Sequence, residues 1–454
     1  MKSDVIAAVA TGTAPSAIGI LRLSGAGCAE VAGKIFTLKS GIPLREAPNR
    51  KLMLGLLHDR QGRVIDAALA VYCRAPHSYT GEDTVELQCH GSPAMLAAGL
   101  EALFANGARQ AGPGEFTRRA FLNGQLDLTQ AEAVIDLIDA ETADAAANAA
   151  GQLGGALLER LRPVYDVLRD LCSQFHAILD YPDEEIEELG VEAIGAALAD
   201  AQRRLHAVSA TYERGRHLKN GVRAVLLGRP NAGKSSLLNA LAGYDRVIVT
   251  DVAGTTRDTV EEPIRLGGVL LRLTDTAGIR ESHDAIEAMG VARSERAAQE
   301  AELAVFVCDA AQPLNDEDHR AMRAARSAPR SLALLNKTDL PQVVRPEELP
   351  FETVLSVSAA TGEGLDALRE QVERWFGQGR SCDGSILTNA RQFGALTRAE
   401  EALSRAERAL RGGMTPDAVL TDAEEAMQAL GEVLGRTVRE DITNRIFERF
   451  CVGK

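Results

Sequence analysis

The chain has 454 residues, 45% of them hydrophobic and 25% charged, with a formal net charge of −14. That length predicts about three domains at ~150 residues each, and the balance is that of a globular protein with several buried cores. The acidic total excludes a chain whose main task is to coat nucleic acid without regard to sequence, although one domain can still carry a local basic patch. Seven cysteines with no C-x-x-C pair point to free thiols in a reducing cytoplasm rather than a disulfide framework or a zinc site. Residues 1–13 lack the apolar core of a signal peptide, and no apolar run approaches the ~18 residues that span a bilayer. A cytoplasmic protein without membrane contact is expected.

Residues 1–120 read as a mixed α/β domain. Ala17–Leu23 is a compact apolar strand, and Thr84–His90 alternates, with Val85, Leu87 and Cys89 on one face and Glu86, Gln88 and His90 on the other. Gly91-Ser92-Pro93 and Gly112-Pro113-Gly114 mark turns. From about Thr129 the pattern becomes helical. Leu158, Leu161, Tyr165, Leu168, Cys172, Phe175 and Leu179 share one helical face, with Pro163 expected in a first turn or at a kink. The acidic run Asp183–Glu188 reads as a solvated helix start. Residues 121–217 form the first part of a helical domain. Over 218–378 the β-type runs Val222–Leu227, Leu270–Thr274, Leu303–Cys308, Leu332–Leu335 and Thr353–Val357 alternate with helical patterns, as in a doubly wound, mostly parallel sheet. Residues 379–454 are helical again. Leu396, Leu403 and Leu410 recur with Ala399 and Ala406 between them, and Leu420, Ala423, Met427, Leu430 and Leu434 continue the spacing. Neither helical part is complete alone. The expected fold is therefore multidomain, α/β plus all-α: an N-terminal α/β domain and a discontinuous helical domain split by an inserted α/β domain.

The inserted segment carries the chemistry. Gly228-Arg-Pro-Asn-Ala-Gly233-Lys234-Ser235 directly follows a strand. Its glycines let backbone N–H groups turn toward phosphate, Lys234 sets a cation against the β- and γ-phosphates, Ser235 offers a hydroxyl to Mg²⁺, and the following helix adds its positive end. Roughly 0.02 chance matches are expected in a chain this long at average residue usage. Asp275-Thr276-Ala277-Gly278 ends a later strand, where Asp275 can hold the metal through water and the Gly278 N–H can sense the γ-phosphate. Asn336-Lys337-Thr338-Asp339 ends another. The Asp339 carboxylate accepts from guanine N1–H and the 2-amino group together, and adenine leaves it unpaired, which can reject a ligand by roughly 10⁴–10⁵-fold. Asn336 and Lys337 support the base and the loop, and Ser358-Ala359-Ala360 offers N–H groups to the guanine oxygen. Within Gly254-Thr255-Thr256-Arg257-Asp258, Thr256 is expected to close over the γ-phosphate and complete the Mg²⁺ shell. These motifs sit at C-terminal ends of strands, where such sheets bind ligands. A P-loop GTPase domain is expected. Many GTPases place a glutamine after the Asp-x-x-Gly turn to orient water; here Ile279 stands there. Either the chain catalyses poorly or it supplies charge and water-positioning in another way.

The motif set resembles the tRNA modification GTPase family MnmE (TrmE), and the resemblance spans the whole chain. It includes Gly19-Ile-Leu-Arg22, Thr80-Gly-Glu-Asp83, Glu86-Leu-Gln88, Pro113-Gly-Glu-Phe116, Arg119-Ala-Phe-Leu-Asn123, Leu126-Asp-Leu128, Ala131-Glu-Ala133, Asp180-Tyr-Pro-Asp-Glu-Glu185 and Phe450-Cys-Val-Gly-Lys454. It implies that the N-terminal domain dimerises and binds a 5-formyl- or 5,10-methylene-tetrahydrofolate, with Arg22, Glu86 and Lys454 at folate-contact positions. Gln125 occupies a further such position where relatives can carry lysine. The resemblance also answers Ile279. Family G domains dimerise across the nucleotide and use K⁺ in place of an arginine finger, with Asn231 giving a side-chain oxygen and Thr250, Val252 and Thr255 backbone oxygens. Glu287 matches the family's water-positioning glutamate, although by sequence alone it reads as a surface helix residue. The nucleotide set implied is completed by Ala232, Ser236, Asp251 and Ala253. The implied reaction, shared with an FAD-dependent partner MnmG (GidA) in a heterotetramer or larger complex, places aminomethyl or carboxymethylaminomethyl groups at C5 of the tRNA wobble uridine. Cys451 is open to two readings, a reactive thiol beside the folate or a packed cysteine. A regulatory or ribosome-assembly GTPase acting as a binding switch is the alternative function, and the outer-domain motifs discriminate against it.

Overall fold

The structure, a computed structural model, describes residues 4–180, 191–244, 261–274, 296–377, 383–436 and 440–454. The chain divides into two compact units: one of residues 1–135, 152–202 and 398–454, the other of residues 136–151 and 203–397.

The first unit is built on a seven-stranded sheet: β1 (Ile6–Val9), β2 (Ser16–Ser24), β3 (Phe36–Leu38), β4 (Met53–His58), β5 (Val64–Cys73), β6 (Thr84–Gly91) and β7 (Arg109–Gln110). Its order is β3-β4-β5-β6-β2-β1-β7. All neighbours are antiparallel except β1 and β7. Alternation along the strands gives one face to a core of Leu21, Leu23, Leu57, Ala68, Val85 and Leu87, closed by Leu96 and Leu103 of the helix Pro93–Ala105. Both expected strands are present, each one residue longer at one or both ends. Helix begins earlier than Thr129, in Glu115–Leu122 and Leu128–Ile138. The helix Ala156–Asp180 holds Pro163 inside it, past its first turn. Its buried face is Leu157, Leu161, Val164, Leu168, Leu171 and Phe175, so packing against the helix Pro416–Leu434 offsets the backbone bond that proline removes. Leu396, Ala399, Leu403 and Ala406 are all buried, as their spacing predicts.

The second unit holds a six-stranded sheet of β8 (Val222–Leu227), β9 (Glu261–Leu266), β10 (Val269–Thr274), β11 (Leu303–Asp309), β12 (Arg330–Asn336) and β13 (Val354–Ser356), in the order β13-β12-β11-β8-β10-β9. Every pair is parallel except β9 with β10. The central strands are buried on both faces: Val222, Ala224, Leu303, Val305 and Leu332 in one core, Val225, Leu227, Ala304, Phe306 and Ala333 in the other. That two-sided burial explains their continuous apolar runs. β9 was not expected. Its sequence Glu-Glu-Pro-Ile-Arg-Leu reads poorly as a strand, and Pro263 is tolerated because β9 is a sheet edge. The run Asp183–Glu188 lies outside the described residues. Among the described residues, no helix is long and apolar enough to cross a membrane.

Candidate functional site

β8 stops at Leu227 and the chain turns sharply before the helix Lys234–Tyr244. Gly228 has φ 153° and Gly233 has φ 96°; a Cβ would lie 2.2 Å from the Val307 carbonyl at the first and 2.1 Å from Asn336 Nδ2 at the second. Only glycine satisfies both the backbone and the space. Asn231 is also left-handed, with φ 63°, which asparagine tolerates better than most residues. The Lys234 ammonium folds back onto this turn, donating to the Gly228 carbonyl at 2.6 Å and the Arg229 carbonyl at 2.8 Å. Asn231, Ser235 and Ser236 are exposed, whereas Ala232 is buried.

The loop after β12 is tied to this turn through Asn336. Its buried amide donates to the Ala232 carbonyl at 2.9 Å and accepts from the Ala359 N–H at 3.0 Å. One side chain thus sets the spacing of three loops. The Ser358 hydroxyl donates to Asp339 Oδ1 at 2.6 Å and fixes the carboxylate at an exposed position. Ala360 is exposed beside it. Lys337, held at φ 66°, is paired with Asp309 at 2.7 Å. Sequence reasoning missed Asp309. Its signal was available, because it closes an apolar strand in register with Asn336, but the pairing that makes it useful is between strands. Thr250, Asp251, Val252, Ala253, Gly254, Thr255, Thr256, Asp275, Thr276, Ala277, Gly278, Ile279 and Glu287 lie outside the described residues.

A second cluster stands in the first unit. Arg22 and Glu86 are cross-strand partners on β2 and β6, paired at 2.8 Å. The Arg22 guanidinium lies 5.7 Å from the Tyr79 ring and 5.8 Å from the Phe116 ring, within reach of both π-faces. Residues 451–454 fold onto this place. The Gly114 N–H donates to the Cys451 carbonyl at 3.3 Å, the Phe116 N–H to the Lys454 carbonyl at 3.2 Å, and Arg22 to the Gly453 carbonyl at 3.4 Å. Gly453 is required there: at φ 104° its Cβ would lie 2.1 Å from the Val9 carbonyl. Lys454 is half-buried, and its ammonium is held below the ordinary lysine range by that burial and then by Arg22, with Glu86 acting oppositely. The structure therefore brings Arg22, Glu86 and Lys454 together from three distant stretches. Gln125 packs on the turn that carries Tyr79, its Cγ 3.1 Å from where a Cβ on Gly81 would stand. That turn is braced: the Ser24 hydroxyl meets Thr80 at 2.8 Å and Glu82 at 2.9 Å, and Arg119 pairs with Glu82 at 2.9 Å. Cys451 is an exposed thiol at this edge. Tyr79 and Phe116 went unread as site residues because isolated aromatics in a sequence more often mark core.

Residues 5–125 match the family model described as the GTP-binding protein TrmE N-terminus, and residues 128–451 match that of the MnmE helical domain. The chain is 43% identical to a tRNA modification GTPase MnmE of Roseiflexus sp. (strain RS-1), over 99% of each chain. It is 43% identical to that of Symbiobacterium thermophilum over 100% of each, and 41% identical to that of Aquifex aeolicus over 99% of this chain and 100% of the relative. With likeness of this extent at both ends and through the phosphate loop, the chain belongs to the tRNA modification GTPase MnmE family and is a GTP hydrolase.

Proposed function

We propose that this GTPase is K⁺-dependent and acts in the cytoplasm with the FAD-dependent MnmG. Together they install aminomethyl or carboxymethylaminomethyl groups at C5 of the tRNA wobble uridine, using a tetrahydrofolate one-carbon donor. The carrying observation is the Arg22–Glu86 pair, with Tyr79 and Phe116 against the guanidinium and the Lys454 ammonium near enough to feel both charges. A generic GTPase has no use for that cluster. A carboxylate beside a cation and two rings suits a planar heterocycle with N–H donors and carbonyl acceptors, such as a pterin. The tetrahydrofolate would supply the carbon; Arg22, Glu86, Gln125 and Lys454 hold and orient it. Cys451 stands exposed at the rim of this place as the candidate reactive thiol.

In the nucleotide pocket, Gly228, Asn231, Ala232, Gly233, Lys234, Ser235 and Ser236 take the phosphates, and Asn336, Lys337, Asp339, Ser358, Ala359 and Ala360 take guanine. Supporting this are the Asn336 bridge between the two loops and the lysine poised on carbonyls that phosphate oxygens can replace. The exposed Ser235 hydroxyl and Asn231 amide are hard oxygen donors, as Mg²⁺ and K⁺ require. Thr256 would add to the Mg²⁺ set; Thr250, Val252 and Thr255 would add to the K⁺ set. When bound, these ions offset charge developing on the phosphates. Glu287 positions water, and Asp251, Ala253, Gly254, Asp275, Thr276, Ala277 and Gly278 complete the pocket. We assign residues 1–120 to folate binding and dimerisation, 121–217 and 379–454 to the helical domain, and 218–378 to the G domain. A homodimer through the N-terminal domain is supported by the outer sheet face, where Leu54 and Leu69 are paired and exposed by 44% and 37%. The test is whether purified protein retains a reduced folate. Retention lost on Arg22→Ala fits the reading; a wild-type protein that binds no reduced folate overturns it.

A further inference from the structure

We propose that Arg229 is a positioning residue that presets the phosphate loop for nucleotide through a buried ion pair with Asp318. Arg229 is the one long side chain between Gly228 and Gly233. It turns away from the phosphate side into the segment between β11 and the helix Asp316–Ala325. Its guanidinium lies 3.3 Å from Asp318 Oδ2, 3.4 Å from the Pro313 carbonyl and 3.3 Å from Gln312 Oε1. The Asp318 side chain is 0% exposed and that of Arg229 10%. Asp318 Oδ2 also accepts from the Asn315 N–H, while Asp318 Oδ1 has no hydrogen-bond partner among the described residues. A buried carboxylate so placed, already capping the start of its helix through Asn315, gains its ion pair among the described residues from Arg229.

The same segment holds the guanine side of the pocket, since Asp309 at its start takes Lys337. Residues 309–318 therefore brace the phosphate loop through Arg229 and the guanine loop through Lys337. The connection to nucleotide is the Arg229 carbonyl. It accepts from the Lys234 ammonium, as the Gly228 carbonyl does, and phosphate oxygens compete with it for that cation. The side chain anchors the peptide unit whose carbonyl takes part in this exchange. A loop already fixed in its strained form loses less freedom on binding phosphate than one that must be ordered by it.

The inference rests on reading this pocket as the GTP site, so the wild-type chain is the control: failure to bind GTP there would remove the reading itself. The experiment is equilibrium titration with fluorescent GDP and with a non-hydrolysable GTP analogue, beside steady-state hydrolysis. The chains compared are wild type, Arg229→Met, Arg229→Lys and the double variant Arg229→Met/Asp318→Leu. Loss of the pair is expected to weaken both nucleotides about tenfold, within the usual range of coupling between linked sites, raising KM much more than it lowers kcat. Arg229→Lys recovers only part, because an ammonium cannot span three separate acceptors as a planar fork does. The double variant removes the unpaired charge, so it regains thermal stability, yet its affinity stays low. If Arg229→Met fails to fold, the double variant decides alone. Wild-type affinity in a stably folded double variant contradicts the proposal and leaves the pair a purely structural one.

Discussion

At the scale of single residues, specificity and catalysis rest on contacts a few ångströms long. The Ser358 hydroxyl bond to Asp339 holds a carboxylate that, on the proposed assignment, meets two guanine donors at once. Removing it with Ser358→Ala is expected to weaken GTP by about tenfold or less, the worth of one hydrogen bond at roughly 0.5–1.5 kcal/mol. Asp339→Asn is expected to do more harm, by on the order of 10²-fold or more, because an amide opposes a donor to one of the guanine donors. Competition binding with GTP and ATP reads both; unchanged guanine preference in Asp339→Asn contradicts the assignment. That Lys234, Asn336 and Asp339 stand at or just beyond the ends of strands was legible from sequence, because their spacing encodes a local turn. Asp309 was not, because its role as the partner of Lys337 exists only once β11 and β12 are in register. The same is true of Tyr79 and Phe116, which meet Arg22 only in the folded sheet.

At the scale of elements, the central strands β8, β11 and β12 of the second sheet were read well because they are apolar on both faces and bounded by turn or polar residues. β8 runs from Val222 to Leu227, the limits its apolar run predicts. The edge strand β9 was missed, since sheet pairing overrides local preference there. The short segment 451–454 is held on the first unit by backbone bonds and by the tight Gly453. Gly453→Ala is expected to displace it and abolish folate retention while leaving GTP hydrolysis near wild type; full retention of folate contradicts this placement. Helix Glu115–Leu122 is anchored by a carboxylate. Burial opposes ionisation of Glu115, but its bonds to Arg109, the Gly112 N–H and Arg119 win and hold its pKa down from 4.5 to about 2. A carboxylate depressed in this way contributes stability above its unfolded pKa and loses it as pH falls through the folded one. Glu115→Gln should therefore be less stable than wild type near neutrality, with the gap closing between about pH 4.5 and 2. Chemical denaturation across that range checks it, and a gap independent of pH argues against an ionised anchor.

At the scale of the whole molecule, the alternation of α/β and helical stretches was legible in the sequence, and so was the GTPase insert. What composition could not reveal is why a nucleotide switch is joined to a second cluster built from residues 22, 86 and 451–454. Hydrolysis in K⁺ is expected to exceed that in Na⁺ several-fold, and Asn231→Ala should remove the difference; equal rates in both salts dispose of the potassium assignment. The central claim is that the switch serves folate-dependent wobble modification. Mass spectrometry of tRNA wobble uridines from cells lacking this chain tests it most directly. The account predicts that the C5 aminomethyl and carboxymethylaminomethyl groups disappear and return with the wild-type chain but not with Arg22→Ala. Their persistence at normal levels without the chain would contradict it.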